Sequence, residues 1–427
     1  MLDWLAQSPC NFFAVRTIAD ILDDHGFIQL DPADKWELTP GGRYYITKNS
    51  TAIFAFICGR DTTSGGFHII SSHSDSPGFK LKPNPEIVGD GGVVTLNVEK
   101  YGGPIMYTWF DRPLSMAGRV MVRTSDPLRP EERLIDFEKP ICTIPHLAIH
   151  FNREVNEGNK LSVQKDMKPV IGIFPKEQLE EFKSMGGLVN CLLADSAGVA
   201  PEDILGYEMM LYPVEKPTVT GLNHEFFQSG RIDDLSMAFA SLEALIETAD
   251  QDPLPEATRV MAVFDNEETG SGTKQGAASP VLRNLLARIA GGEENLYRAL
   301  PASFMISADN AHAWHPNYNE KYDPTNHPVI GGGPVIKINA NCKYMTDAEG
   351  GAIFRALCEE AGVNCQYFVN HSDVAGGSTL GNILTSQLDL RGVDMGCAIW
   401  AMHSATETAS VSDYDDTVKV FTRFFRL

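Results

Sequence analysis

The densest group of reactive side chains in this 427-residue sequence is Asp265-Asn266-Glu267-Glu268-Thr269-Gly270-Ser271. Carboxylates this close together cannot all stay ionised away from water without a partner. They need a metal ion, an Arg or Lys, or exposure on a loop. The preceding segment, 258–264, is apolar and β-prone, and it reads as a buried strand that carries this charge to its carboxyl end. Three further apolar segments stop in the same manner: 67–72 at His73-Ser74-Asp75, 303–308 at Asp309, and 396–402 at His403. Asp233-Asp234 opens a segment of helical apolar spacing, where an aspartate also serves as an N-cap or dipole partner.

The set comprises two imidazoles, several carboxylates and no cysteine. Such nitrogen and oxygen chemistry suits zinc, manganese or cobalt rather than iron–sulfur or copper(I). There are more candidates than one tetrahedral ion uses, so a two-ion site bridged by one carboxylate is the economical arrangement. Two ions about 3.5–4 Å apart activate a shared water and hold a substrate carbonyl. Of Glu267 and Glu268, only one need be a ligand, which leaves the other to take that water's proton. Asp75 is placed to accept the second ring N–H of His73 and fix its tautomer.

Stepping outward, the elements that must position these groups alternate between strands and helices. A helix is expected over 12–24, strands over 44–47, 52–57 and 67–72, and an all-β stretch of short runs with few helices from about 85 to 228. After it come a helix from Asp233, the strand at 258–264, one amphipathic helix over 280–300, the strand at 303–308, a helix over 347–361 and a strand over 365–369. This pattern predicts an α/β domain formed by residues 1–88 and 229–427, interrupted by a β-rich insertion at 89–228. In open α/β sheets ligands bind outside the carboxyl ends of the strands, so side chains distant in sequence would meet along one edge.

Composition narrows the partners. Acidic residues outnumber basic ones by 56 to 35, giving a formal charge of -21, which opposes binding to nucleic acid or an anionic membrane. The eight cysteines form no C-x-x-C pair, the first residues lack the pattern expected of a secretory signal, and no apolar run reaches the roughly 20 residues of a membrane span. The expectation is a soluble cytoplasmic protein with reduced thiols. The segment 270–276 has neither P-loop nor dinucleotide-binding spacing.

Several segments together resemble the aspartyl aminopeptidase family of co-catalytic zinc metallopeptidases, in its bacterial type. They are Ser72-His73-Ser74-Asp75-Ser76-Pro77-Gly78, Arg231-Ile232-Asp233-Asp234, the acidic loop at 265–271, Ser307-Ala308-Asp309-Asn310 with its continuation to Tyr318, and Ala401-Met402-His403-Ser404. Ile144-Pro145-His146-Leu147-Ala148-Ile149-His150 and Gly376-Gly377-Ser378-Thr379-Leu380-Gly381 match as well, so the likeness covers essentially the whole chain.

The resemblance implies a mixed-sheet α/β/α metallopeptidase domain with the insertion as lid and dimerisation domain. It implies two zinc ions, for which cobalt or manganese substitutes. Asp233 would bridge them, His73 and Asp309 would complete one site, and Glu268 and His403 the other. Glu267 would be the general base, with Asp75 supporting His73. Family members usually carry Asn after the bridging Asp, so Asp234 departs from the pattern.

The family also implies a homo-dodecamer built from dimers. In it His146, rather than His150, would reach a neighbouring active site and hold the oxyanion. Lys337 matches the family's pocket for an acidic side chain, with Tyr344, Gly376 and Gly377 nearby. The expected substrates are short peptides with a free N-terminus, cleaved after a first Asp or Glu. A neutral-residue (Leu-type) aminopeptidase, and a carboxypeptidase or deacylase on the same scaffold, are the alternatives.

Overall fold

A computed structural model describes residues 1–427 as two compact units. The first comprises Met1–Asp75, Pro217–Met402 and Glu407–Leu427, and the second comprises Ser76–Lys216 and His403–Thr406. No helix is long and apolar enough to cross a membrane.

The first unit is built on a nine-stranded mixed sheet. Its strands in chain order are β1 (Ile28–Gln29), β2 (Arg43–Lys48), β3 (Ala52–Ile57), β4 (Phe67–His73), β5 (Thr258–Phe264), β6 (Phe304–Ala308), β7 (Val335–Lys337), β8 (Gln366–Phe368) and β9 (Arg391–Gly396). They lie side by side as β1-β2-β3-β5-β4-β6-β9-β7-β8. The four central strands β5, β4, β6 and β9 run parallel, so their carboxyl ends share one edge.

Why these runs are almost continuously apolar follows from what covers them. Along β3, Ile53, Ala55 and Ile57 enter one core while Ala52, Phe54 and Phe56 enter the other. β5 divides likewise, with Met261 and Val263 on one face and Val260, Ala262 and Phe264 on the opposite face. Successive side chains of a strand point to opposite faces, so a strand covered on both sides needs apolar residues at every position. Helices Asn11–Asp24, Ile232–Glu247, Ala348–Ala361 and Val411–Phe425 contribute to the first core, and Val281–Ile289 and Glu293–Ala299 to the second. The result is the expected α/β/α layering.

Three local expectations are corrected. The single helix expected over 280–300 is two, Val281–Ile289 and Glu293–Ala299, because Gly291 and Gly292 take φ of 78° and 140° between them. The run at 396–402 is not one strand: β9 ends at Gly396, Ala398–Ile399 then pairs with Ala311–His312, and Trp400 bridges to Thr408. The insertion also carries more helix than expected, at Lys176–Ser184 and Leu188–Ala197.

The second unit is a six-stranded sheet in the order Glu131–Asp136, Leu114–Val122, Ile204–Pro213, Gly78–Val88, Val93–Tyr101, Val170–Ile173, with every pairing antiparallel. The division falls at Ser76 and Lys216, upstream of residues 89 and 228. The long strand Gly78–Val88 belongs to this sheet, where it pairs with Val93–Tyr101.

Candidate metal centre

The shared edge of the first unit's sheet carries the acidic and imidazole groups. Phe264 is level with His73 across β5 and β4, and Ser307 is level with Ser71 across β6 and β4. Asp265, His73 and Asp309 therefore emerge together at the carboxyl ends of adjacent parallel strands. Asp233 and Asp234 come from the first turn of Ile232–Glu247, where both have non-helical backbone angles and the joining peptide is cis. They do not serve as the helix N-cap, which is Arg231.

Ligand atoms of His73, Asp233, Asp234 and Asp309 lie within 4.8 Å of one another, as do those of His73, Glu267 and Glu268. The four residues of the first group are 1%, 2%, 0% and 9% exposed. His73 Nε2 is 3.7 Å from Asp233 Oδ1. The Asp234 carboxylate, besides lying in this group, accepts from the His73 backbone N–H at 3.1 Å and from Asn310 Nδ2 at 3.4 Å. Both aspartates thus lie by His73, and Asp234 differs from Asp233 in also bracing the His73 backbone.

Asp75 braces the same region from the other side. Its two carboxylate oxygens accept the backbone N–H groups of Glu267 at 3.1 Å and Glu268 at 3.2 Å. Asn266, with φ of 62°, turns the chain out of β5 into the short 3₁₀ segment Glu267–Thr269 that presents those amides. His73 Nδ1 lies 2.9 Å from the backbone oxygen of Asp75 and 3.4 Å from its carboxylate. The closer partner of the ring N–H is therefore the Asp75 carbonyl rather than the expected side chain. Either contact keeps the proton on Nδ1 and leaves the Nε2 lone pair for a metal.

Electrostatically the cluster has too much negative charge. Burial pushes the Glu267 carboxyl up to about 9, and the carboxylates of Asp309, Glu268 and Asp75 add to this against the pull of His73. Asp234 is held well above the carboxylate range, first by burial and then by Asp309 and Asp233, with His73 opposing. Burial also raises Asp309, although Lys337 opposes it. For His73, burial works against the charged form, but Asp234 and Asp75 prevail and hold it well above its ordinary value. A donor set of one imidazole and several buried carboxylates that stabilises protons so strongly fits divalent cations, which would replace those protons. The absence of thiolates fits zinc, manganese or cobalt.

Lys337 does not lie on a solvent-facing strand surface. It is 3% exposed, donates to the Asn310 carbonyl at 2.9 Å, lies 3.5 Å from Asp309 Oδ1 and sits 5.6 Å from the centre of the buried Tyr344 ring. Gly376 and Gly377 lie before Leu380–Thr385, and a Cβ on Gly376 would come 2.5 Å from Asn370 Oδ1. His403 belongs to the second unit, where its Nδ1 is 3.2 Å from the Gly103 carbonyl oxygen. His146 is also in that unit; its Nδ1 is 2.7 Å from Asp111 Oδ2 and its ring lies 3.8 Å from that of Phe110. His150 is exposed.

Several participants were not singled out by sequence reasoning. Asn310 donates to the Ile232 carbonyl at 3.0 Å and its own carbonyl receives Lys337. Glu407, 1% exposed, accepts the backbone N–H of Asp233 at 3.0 Å. Asp394 is fully buried and accepts from Thr379 Oγ1 at 2.6 Å. The position of Asn310 directly after Asp309 was a signal; Glu407 and Asp394 had none.

Fold and donor set together define a metal-dependent hydrolase. A family model for aminopeptidase I zinc metalloproteases (M18) matches residues 4–425. A probable M18 family aminopeptidase 2 of Clostridium novyi (strain NT) is 44% identical over 432 residues, covering 100% of this chain and 98% of its own. A chain of the Ape4 and Nbr1 complex, solved by cryo-EM, matches with a TM-score of 0.95 at 35% identity, covering 100% of this chain and 84% of that one. The S. cerevisiae mApe1 dodecamer matches with a TM-score of 0.86 at 28% identity, covering 100% and 95%. The chain belongs to the M18 family of zinc aminopeptidases.

Proposed function

We propose that this aminopeptidase removes N-terminal Asp or Glu from short peptides with the help of two divalent ions, zinc in the first instance. In this reading His73, Asp233, Asp309, Glu268 and His403 would hold the ions, with Asp233 shared between a site completed by His73 and Asp309 and one completed by Glu268 and His403. The observation that carries it is the buried surplus of carboxylates around His73 at the strand edge. When bound, the ions supply Lewis-acid activation of a water and of the substrate carbonyl. Glu267 accepts the proton of the attacking water and passes it to the leaving amine. Asp75 holds the Glu267 and Glu268 amides and, through its carbonyl, the His73 tautomer.

An acidic substrate side chain needs a buried cation, since an unpaired buried carboxylate is costly. Lys337 is that cation, seated beneath the site against Asp309 and Tyr344. Gly376 and Gly377 present main chain to the substrate. The second unit acts as lid and dimerisation domain in a homo-dodecamer of dimers, supported by the likeness to the mApe1 dodecamer. Asp111 lies 2.7 Å from His146 Nδ1 and orients the ring, which in this reading holds the oxyanion in a neighbouring subunit. The eight free thiols fit a cytoplasmic location.

The test is a panel of aminoacyl chromogenic substrates run on metal-stripped protein and again after zinc is restored. Asp and Glu substrates should be cleaved only after restoration. Efficient cleavage of Leu with no turnover of Asp or Glu would overturn the role given to Lys337.

A further inference from the structure

Asp394 is fully buried in β9, and a buried carboxylate is costly unless donors satisfy it. β7 and β9 pair antiparallel, with Val335 level with Gly396 and Ile336 with Met395. One step further along this register Lys337 stands opposite Asp394, and directly opposed residues project on the same face. Ile336 and Met395 enter the first core, so Lys337 and Asp394 point the other way, toward the face that carries Leu380–Thr385.

Two loops supply the donors. The Met345 N–H donates to Asp394 Oδ2 at 2.5 Å, and the Thr379 hydroxyl donates to Oδ1 at 2.6 Å. The Asp394 N–H in turn donates to Thr346 Oγ1 at 2.8 Å. Tyr344, whose ring lies beside Lys337, is the residue next to the Met345 tie. Thr379 occupies the N-cap place of Leu380–Thr385, yet its hydroxyl makes no cap bond and goes to Asp394 instead. The segment ending at Thr379 begins after β8, where Asn370 Oδ1 accepts from Asn339 Nδ2 at 3.3 Å. In the sheet β7 lies between β8 and β9, so this segment crosses β7, the strand of Lys337, to reach Asp394.

We propose that Asp394 is a positioning residue for substrate selection: it ties the segment at 344–346 to the one ending at Thr379, and so fixes the surroundings of Lys337 that favour a first Asp or Glu. The inference rests on the reading of Lys337 as the cation that receives an acidic side chain. Asp394 acts through the two tied segments rather than by contact with substrate. Hydrogen bonds to an ionised acceptor are stronger than neutral ones, and losing either donor here leaves a buried charge short of a partner. A Cβ on Gly381 would come 2.6 Å from Asp394 Oδ2, so the start of Leu380–Thr385 packs directly on the carboxylate. An acidic substrate loses binding when its polar partners shift, whereas an apolar one asks for none.

Asp394→Asn disturbs both ties at once and endangers the fold, so the deciding variant is Thr379→Val, which keeps the shape and the charge but removes one donor. Kinetics of the zinc-loaded full chain with Asp and Leu chromogenic substrates provide the readout. In Thr379→Val the ratio of Asp to Leu kcat/KM should fall about tenfold, near the lower end of what losing a hydrogen bond to a charged group costs. The fall should come from a higher KM for Asp, with zinc content unchanged, and Thr379→Ser, which restores the hydroxyl, should keep the wild-type ratio. An unchanged ratio in Thr379→Val, or an equal loss on both substrates, would overturn the role of Asp394 while leaving the acid-pocket reading in place. A wild-type enzyme that cleaves Leu but neither Asp nor Glu would overturn both.

Discussion

Asp75 joins three parts of the centre: two amides of the acidic turn through its carboxylate and the His73 ring through its carbonyl. Removing its charge with Asp75→Asn should lower kcat by about tenfold to a hundredfold, the usual effect of losing an outer-shell partner. Glu267→Gln removes the proton acceptor and should cost about 10²–10⁴-fold in kcat with zinc content unchanged by elemental analysis. Equal loss of metal and rate in that variant would make Glu267 a ligand instead.

The same groups determine how metal-free protein responds to pH. Glu267 keeps its proton up to about 9 in the fold but releases it near the ordinary value of 4.5 once unfolded. Between those values the native state binds more protons, so stability falls as pH rises through the window. His73, raised above its ordinary value of 6.5, acts in the same direction above that point. The urea midpoint of stripped protein should therefore drop from about pH 5 to about pH 9, and zinc should remove the drop by occupying deprotonated ligands. A midpoint that rises over this range without metal would contradict the charge surplus. At this scale the sequence marked His73, Asp233, Glu267, Glu268 and Asp309, because each sits where an apolar strand or helix begins or ends. It did not mark Glu407 or Asp394, whose burial depends on neighbours far away in the chain.

Elements rather than single groups keep this edge in place, and at Gly396 in β9 backbone packs directly against backbone. A Cβ there would lie 1.9 Å from the Asp309 backbone oxygen, which has no flexible tip to yield. Gly396→Ala should destabilise by about 2–3 kcal/mol and displace Asp309, lowering activity as well. Gly206→Ala in the second unit meets nothing within 4 Å and should stay within about 0.5 kcal/mol. Urea denaturation of both variants provides the comparison; equal stability would disprove the packing argument. The central strands were legible because both-face burial forces continuous apolar runs, as in 52–57 and 258–264. Less legible were Gly78–Val88, which carries Lys, Asn, Pro and Glu, and the break at Gly291-Gly292 inside a sound amphipathic pattern.

For the assembled molecule the claim is that active sites are completed across subunits. His146→Ala should lower kcat by about 10²–10³-fold, the cost of losing one oxyanion donor, while zinc content stays the same. Mixed oligomers of His146→Ala and Glu267→Gln subunits should regain activity, since some sites would then receive His146 from one chain and Glu267 from the other. Activity no higher than the sum of the two inactive parents would place His146 outside any neighbouring site. The second unit exposes Leu147, Ile149 and Phe151 next to His146, an apolar group of the kind found at protein interfaces. Here the sequence alone was least informative, because an exposed apolar residue in a loop carries no signature of its partner.

All of these expectations rest on paired divalent ions held by the strand-edge cluster. The direct measurement is zinc bound per chain, by elemental analysis after exhaustive dialysis, in the wild-type protein and in Asp233→Asn. The account predicts two ions per chain in the wild type and fewer than one when the bridging carboxylate is neutralised. A single ion in the wild type, or an unchanged count in Asp233→Asn, would contradict it.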